Sequence, residues 1–250
     1  MATCNLCSTI CKLQQSHAIP NAYFKPMFRT SSGQALSVTE GSSALFNTQN
    51  SGKEEMLCVG CEGFLNSTYE TPAFNAFKKY WKAYQSGIKC PALDIDSTVL
   101  FNFILSVIWR CSISKNDFYS NFDMQREKLE WMKDSFYLKK CPFEKFTAKV
   151  ERLEDGRDSR STLAYRKMCL APTYEAVTIG KKRYVLVSLL FNGFVFSVIP
   201  TRLSTSARSK YNALQKGKSK YLMPSRAVHE FEPAMNAIRS RFQFELEQSN

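Results

Sequence analysis

The residues best suited to chemistry are four cysteines in two pairs, Cys4-Asn5-Leu6-Cys7 and Cys58-Val59-Gly60-Cys61, with His17 between them. Two residues separate the members of each pair, so both sulfurs can turn onto one ion. Four thiolates are what a tetrahedral structural Zn²⁺ takes, at about 2.3 Å each. The chain between the pairs then folds back as a loop that metal binding closes. A single pair of this kind also fits redox chemistry or a buried apolar thiol. Two pairs within the first 61 residues point instead to a metal. Cys11 follows the first pair closely enough to replace one ligand.

The elements that must position these residues show in the hydrophobic pattern. The chain has 250 residues, 44% of them apolar and 13% aromatic, which is enough for a packed core. Residues 30–53 read as a polar loop or irregular hairpin, and Glu62 to Glu70 as the start of a short helix. Phe74, Phe77, Tyr80, Trp81 and Tyr84 recur at three- and four-residue intervals, a helical face. The most apolar stretch, Val99 to Trp109, contains Asn102 and Ser106 and ends at Arg110; it is too short to span a bilayer and predicts a core helix capped by Asp96 or Ser97. A third helix is expected over about 115–137, then a charged, solvated loop over 151–161. Strands are expected at 175–179, 184–191 and 194–199, the last two joined through Asn192-Gly193, a type I′ hairpin signal. Helices such as 97–110 should cover one side of that sheet. A last helix is expected over 227–247, interrupted at Pro233 and continuous from Ala234, with His229 on its surface.

A net charge of +12 calls for an acidic partner, nucleic acid first and an anionic membrane surface second. The charge is densest in 201–226, where Arg202, Arg208, Lys210, Lys216, Lys218, Lys220 and Arg226 occur with no acidic residue. Tyr211 and Tyr221 interleave with them. Such a segment either follows a phosphate backbone with its tyrosines stacked on bases, or is a solvated flexible loop. The start, Met1-Ala2-Thr3-Cys4, carries neither a basic nor an apolar leader region. With nine cysteines, the expectation is a reducing cytoplasm and no transmembrane segment.

The order CxxC, Ser16-His17-Ala18-Ile19-Pro20, CxxC resembles the zinc-braced HNH endonuclease family over residues 4–70. It resembles more closely a group of uncharacterised bacterial proteins reading Ser-His-x-Ile-Pro and then Leu-Cys-x-x-Cys-Glu. The expected chain is α+β: a zinc module over 1–72, treble-clef-like by the resemblance, then a 73–250 domain of helices and a carboxy-terminal antiparallel sheet, read from the hydrophobic pattern. The resemblance makes Cys4, Cys7, Cys58 and Cys61 the structural zinc ligands and His17 the general base. Asn66, five residues past Cys61, becomes a ligand of a catalytic Mg²⁺ or Mn²⁺. The implied activity is metal-dependent cleavage of DNA or RNA, in bacterial or phage defence and with a protein partner in a multi-subunit system. The chain departs from the pattern at Ser16, where an aspartate is common, at Glu62, where a histidine is frequent, and at Lys53-Glu54-Glu55, where an asparagine is expected. Glu62 or Glu70 would supply the missing carboxylate. The alternative is a non-catalytic zinc module that binds nucleic acid or a partner protein, with His17 structural or itself a zinc ligand.

Overall fold

The aromatic and apolar stretches converge on one helix and one sheet. A computed structural model describes residues 1–30, 35–37, 46–48, 53–156 and 159–248. The chain opens with β1 (Ala2–Thr3) and β2 (Ile10–Cys11), a short antiparallel ribbon on either side of Cys4 and Cys7. Next come β3 (Leu13–His17), α1 (Asn21–Thr30), β4 (Ala35–Ser37), β5 (Phe46–Thr48) and β6 (Lys53–Cys58), with β6 antiparallel to β3 and β5 antiparallel to β4. The rest of the expected hairpin at 30–53 lies outside the described residues. One helical run follows: α2 (Val59–Leu65), a π-helical turn over Asn66–Glu70, and α3 (Thr71–Gln85). The expected boundary at 72 falls inside it.

β7 (Ala92–Asp94) leads to α4 (Ser97–Ile113), whose first main-chain N–H groups donate to the Asp96 carboxylate. Almost every side of α4 is buried, as its composition requires. The expected helix at 115–137 is shorter: a 3-10 turn (Asp117–Tyr119) and then α5 (Arg126–Leu138). Asn116 and Ser112 accept main-chain N–H bonds from Phe118 and Met124, and these local bonds compete with helix propagation.

The carboxy-terminal half holds β8 (Thr147–Glu154), α6 (Ser159–Ala164), β9 (Cys169–Ile179), β10 (Lys182–Phe191), β11 (Phe194–Ile199), α7 (Thr205–Lys210), β12 (Lys220–Leu222), β13 (Ser225–Ala227) and α8 (Glu232–Gln248). Five of these strands form a sheet in the order β13-β8-β11-β10-β9, antiparallel except where β13 joins β8 in parallel. The protein is thus a mixed α and β fold with an antiparallel-rich sheet. Phe103 of α4 packs on Phe191 and Phe196 of β10 and β11, so α4 does cover that face.

Two expectations fail. The solvated loop at 151–161 is in part strand β8, with Glu151 and Arg152 only 7% and 6% exposed. Their burial is tolerated because each charge is met: Lys149 Nζ lies 2.7 Å from Glu151, and Arg152 reaches Glu154 at 2.7 Å and donates to Tyr80 Oη at 2.9 Å. Pro233 does not interrupt α8; it occupies the helix's second position, where its missing N–H costs nothing, and before it Ala227 ends β13 and Val228–Glu230 form a 3-10 turn.

The Asn192-Gly193 turn has φ +52° and +75°, as a type I′ hairpin needs. Trp81 Nε1 donates to Asn192 O at 3.1 Å, and a Cβ built on Gly193 would come 2.9 Å from Trp81. Gly193→Ala therefore suffers both positive-φ strain and a clash, and should lower stability by about 2–4 kcal/mol. Gly180→Ala, at φ +64° in open space, should cost about 1 kcal/mol. Thermal unfolding of the two variants against the parent measures the difference.

Candidate metal centre and the adjoining cleft

The β1–β2 ribbon turns sharply at Cys4 to Cys7, and Ser8 takes φ +62° to close it. The second pair sits where β6 ends and α2 begins. Cys58 is extended, at φ −72° and ψ 163°, and its sulfur caps the helix by accepting the Cys61 N–H at 3.4 Å. Cys58 N–H in turn donates to Cys4 Sγ at 3.2 Å. Both bonds present main-chain N–H donors to the sulfurs. Hydrogen bonds from the side chain and then the main chain of Thr9 lower the Cys7 pKa to about 6. Burial raises that of Cys61, so a cation is needed to hold that sulfur as thiolate.

The four sulfurs of Cys4, Cys7, Cys58 and Cys61 all lie within 4.8 Å of one another, and Cys7 Sγ and Cys58 Sγ are 3.8 Å apart. A tetrahedron with arms of about 2.3 Å has edges of about 3.8 Å, so the donor set and spacing fit a metal ion such as zinc. Cys11 stays outside this group; its thiol points to Thr9 O at 3.5 Å. Tyr137 of α5 closes one flank, its hydroxyl 3.8 Å from Cys61 Sγ and its ring stacked on Phe64.

A cavity of about 250 Å³ opens beside this centre, at the end of β3 and along the helical run. His17, Glu62 and Asn66 all line it, as do Glu70, Tyr23 and Arg110. His17 is 8% exposed, and burial followed by the charges of Lys53 and Arg110 lowers its pKa to about 4, so the ring is neutral at physiological pH. Asn66 is exposed and accepts from Thr71 Oγ1 at 3.1 Å. Ser16, in the place of the expected aspartate, is fully buried and donates to Glu62 at 2.7 Å. Glu54 lies outside the cavity and binds the Lys115 N–H beyond α4.

Glu70, Arg110 and Tyr23 were not legible together in the sequence. Arg110 is 1% exposed and meets Glu70 at 2.6 Å. Burial raises the Glu70 pKa while Arg110 pulls it down. The Tyr23 hydroxyl is buried with no hydrogen-bond partner among the described residues. A signal did exist: Asn102, Ser106 and Arg110 are spaced by four on a helix otherwise apolar, one polar stripe. Asn102 Nδ2 faces Tyr69 Oη at 3.5 Å and Arg110 faces Glu70, so the stripe docks on the π turn.

The basic segment is folded rather than a mobile loop. Arg208 donates to Phe143 O and Leu214 O, Arg226 pairs with Glu175 at 3.0 Å, and Arg202 pairs with Glu144. Tyr211 is buried and the Tyr221 hydroxyl donates to Val150 O and Asn212 O, so Tyr211 does not stand out as a stacking face. Lys210, Lys216, Lys218 and Lys220 are exposed, with no ion pair among the described residues. His229 is exposed in a 3-10 turn. No helix among the described residues is long and apolar enough to cross a membrane. No protein-family model, curated protein or solved structure gives a significant match to the chain.

Two outcomes follow. Cys58→Ser should drop the metal content of the purified protein from about one ion per chain towards zero and unfold the amino-terminal part, whereas Cys11→Ser should leave it unchanged; elemental analysis with circular dichroism reads both. Glu70→Leu strands a buried guanidinium and should cost about 3–5 kcal/mol, while the double variant with Arg110→Met should recover much of that loss in denaturant unfolding.

Proposed function

We propose that this chain is a zinc-braced nuclease of HNH type, acting on phosphodiester bonds in the cleft beside the four-cysteine centre. The observation that carries this reading is the convergence of His17, Glu62 and Asn66 on one cavity, His17 from the end of β3 and the other two from the helical run that starts at Cys58. The turn at Cys4–Cys7, the β3–β6 pair and that helix support a treble-clef-like arrangement, with zinc as the structural ion.

In this reading the neutral imidazole of His17 takes a proton from the attacking water, because its depressed pKa leaves a ring nitrogen able to accept. The Asn66 side-chain oxygen and the Glu62 carboxylate, the latter oriented by the Ser16 hydroxyl, would hold a hard cation. Mg²⁺ or Mn²⁺, when bound, supplies charge stabilisation to the phosphate and the leaving oxygen. The buried Arg110 adds a fixed positive charge at the back of the cavity. DNA and RNA both fit this chemistry, and a role in bacterial or phage defence alongside a protein partner belongs to the same proposal, as does a cytoplasmic setting.

One observation favours the second reading, a non-catalytic zinc module that binds nucleic acid or a protein. Among the described residues the four cysteines are the only group of His, Cys, Asp or Glu side chains whose ligand atoms converge. A plasmid-nicking assay with Mg²⁺ or Mn²⁺ separates the two. The nuclease reading expects cleavage that falls at least about 100-fold in His17→Ala with zinc content unchanged, and no loss of rate from histidine protonation between pH 6.5 and 5. Binding without cleavage of duplex, single strand or RNA supports the second reading.

A further inference from the structure

The basic segment folds around a second cavity, of about 360 Å³, within the range of small-ligand clefts, about 300–1,000 Å³. Its apolar wall is Ile95, Leu100 and Leu214. Its polar wall is Asn212, Gln215, Lys218 and Lys220, and no aspartate or glutamate lines it. Asp94 and Asp96 are close in sequence to Ile95, but Asp96 is occupied by the N–H groups of Thr98 and Val99. The side-chain amides of Asn212 and Gln215 are exposed and make no hydrogen bond among the described residues.

The wall is held stiffly. Asn212 takes φ +54°, and its carbonyl accepts the Tyr221 hydroxyl at 2.9 Å. Tyr221 also lines the cavity, with its ring fixed through a second bond to Val150 O at 3.0 Å. Ser97 Oγ accepts the Lys218 N–H at 3.2 Å, which ties the segment before β12 to the start of α4.

We infer that this cavity, at the opposite end of α4 from the His17 cleft, binds one nucleotide of a single-stranded nucleic acid and reads its base. The inference rests on the nucleic-acid reading above and deepens it. Each part of the pocket matches a part of that ligand. Lysine ammonium groups meet phosphate as point charges. Primary amides, with a donor and an acceptor side by side, pair with the edges of bases. An apolar wall and a fixed aromatic ring accept a base face. An inorganic phosphate would use the lysines alone and leave the amides and the apolar wall without a role. The rise of α4 from Leu100 to Arg110 is about 15 Å, a span that four to five stacked nucleotides cover.

The test is fluorescence anisotropy on the full chain, without Mg²⁺ or Mn²⁺, using four labelled homopolymeric single strands and the four free nucleoside monophosphates as competitors. A spread of about fivefold or more between the best and worst homopolymer is expected. The pair Asn212→Gly and Gln215→Ala, chosen because Gly keeps the positive φ, should abolish the spread while the salt dependence stays. The pair Lys218→Ala and Lys220→Ala should weaken all four strands and reduce the slope of log K against log salt by about 1.4. A spread absent in the parent, or surviving loss of both amides in variants with parent-like thermal unfolding, overturns the pocket. Free nucleotides that bind while strands do not overturn its assignment to a strand. Cleavage lost in His17→Ala without any base preference removes the pocket alone; base-selective binding without cleavage removes the nuclease reading and leaves the pocket standing.

Discussion

Four sulfurs brought within 4.8 Å of one another are a constraint before they are a site. Thiolates this close repel one another, and thiols this close gain little, so a cation among them would stabilise the arrangement. The turn at Cys4–Cys7, the β3–β6 pairing and the start of α2 all have to hold for the sulfurs to meet. The same geometry fixes where His17 leaves its strand and where Glu62 and Asn66 leave their helix. Metal affinity and the shape of the cleft are thereby one problem rather than two.

Away from the metal the organising theme is charge taken out of water and answered at once. Arg110 with Glu70 and Arg152 with Tyr80 are buried groups whose partners come from distant parts of the chain, and Glu154, two residues on in β8, also meets Arg152. Burial of such groups adds little net stability, but loss of one partner is costly. They therefore act as registration marks: α4 can dock on the π turn in one rotation, and β8 can meet α3 in one position.

The elements with a local signature were the legible ones. Two-residue spacing gave the cysteine pairs, ring spacing gave α3, and Asn192-Gly193 gave the hairpin, because each depends on neighbours in sequence. β8 was missed because Glu151 and Arg152 look solvated until their partners, Tyr80 among them, are in place. The cleft is half visible: His17 and Asn66 match a motif from which Glu62 departs, Arg110 shows only as the end of a polar stripe on α4, and Tyr23 enters through tertiary packing alone. Of the two expectations for the basic run, the flexible loop fails, since the bonds that fold it, from Arg208 to Phe143 O and from Tyr221 to Val150 O, reach outside the segment.

The π turn at Asn66–Glu70 sets the phase of everything after it. A five-residue loop of helix lets the adjacent residues Tyr69 and Glu70 both face inward, one towards Phe136 O and the other towards Arg110. Each residue of an α-helix turns the following chain by about 100°. Deleting a single residue within 66–70 would ease the wide turn into ordinary helix, yet would swing the aromatic face of α3 off the sheet. Insertions and deletions are thus barred from this stretch by rotation, not by space.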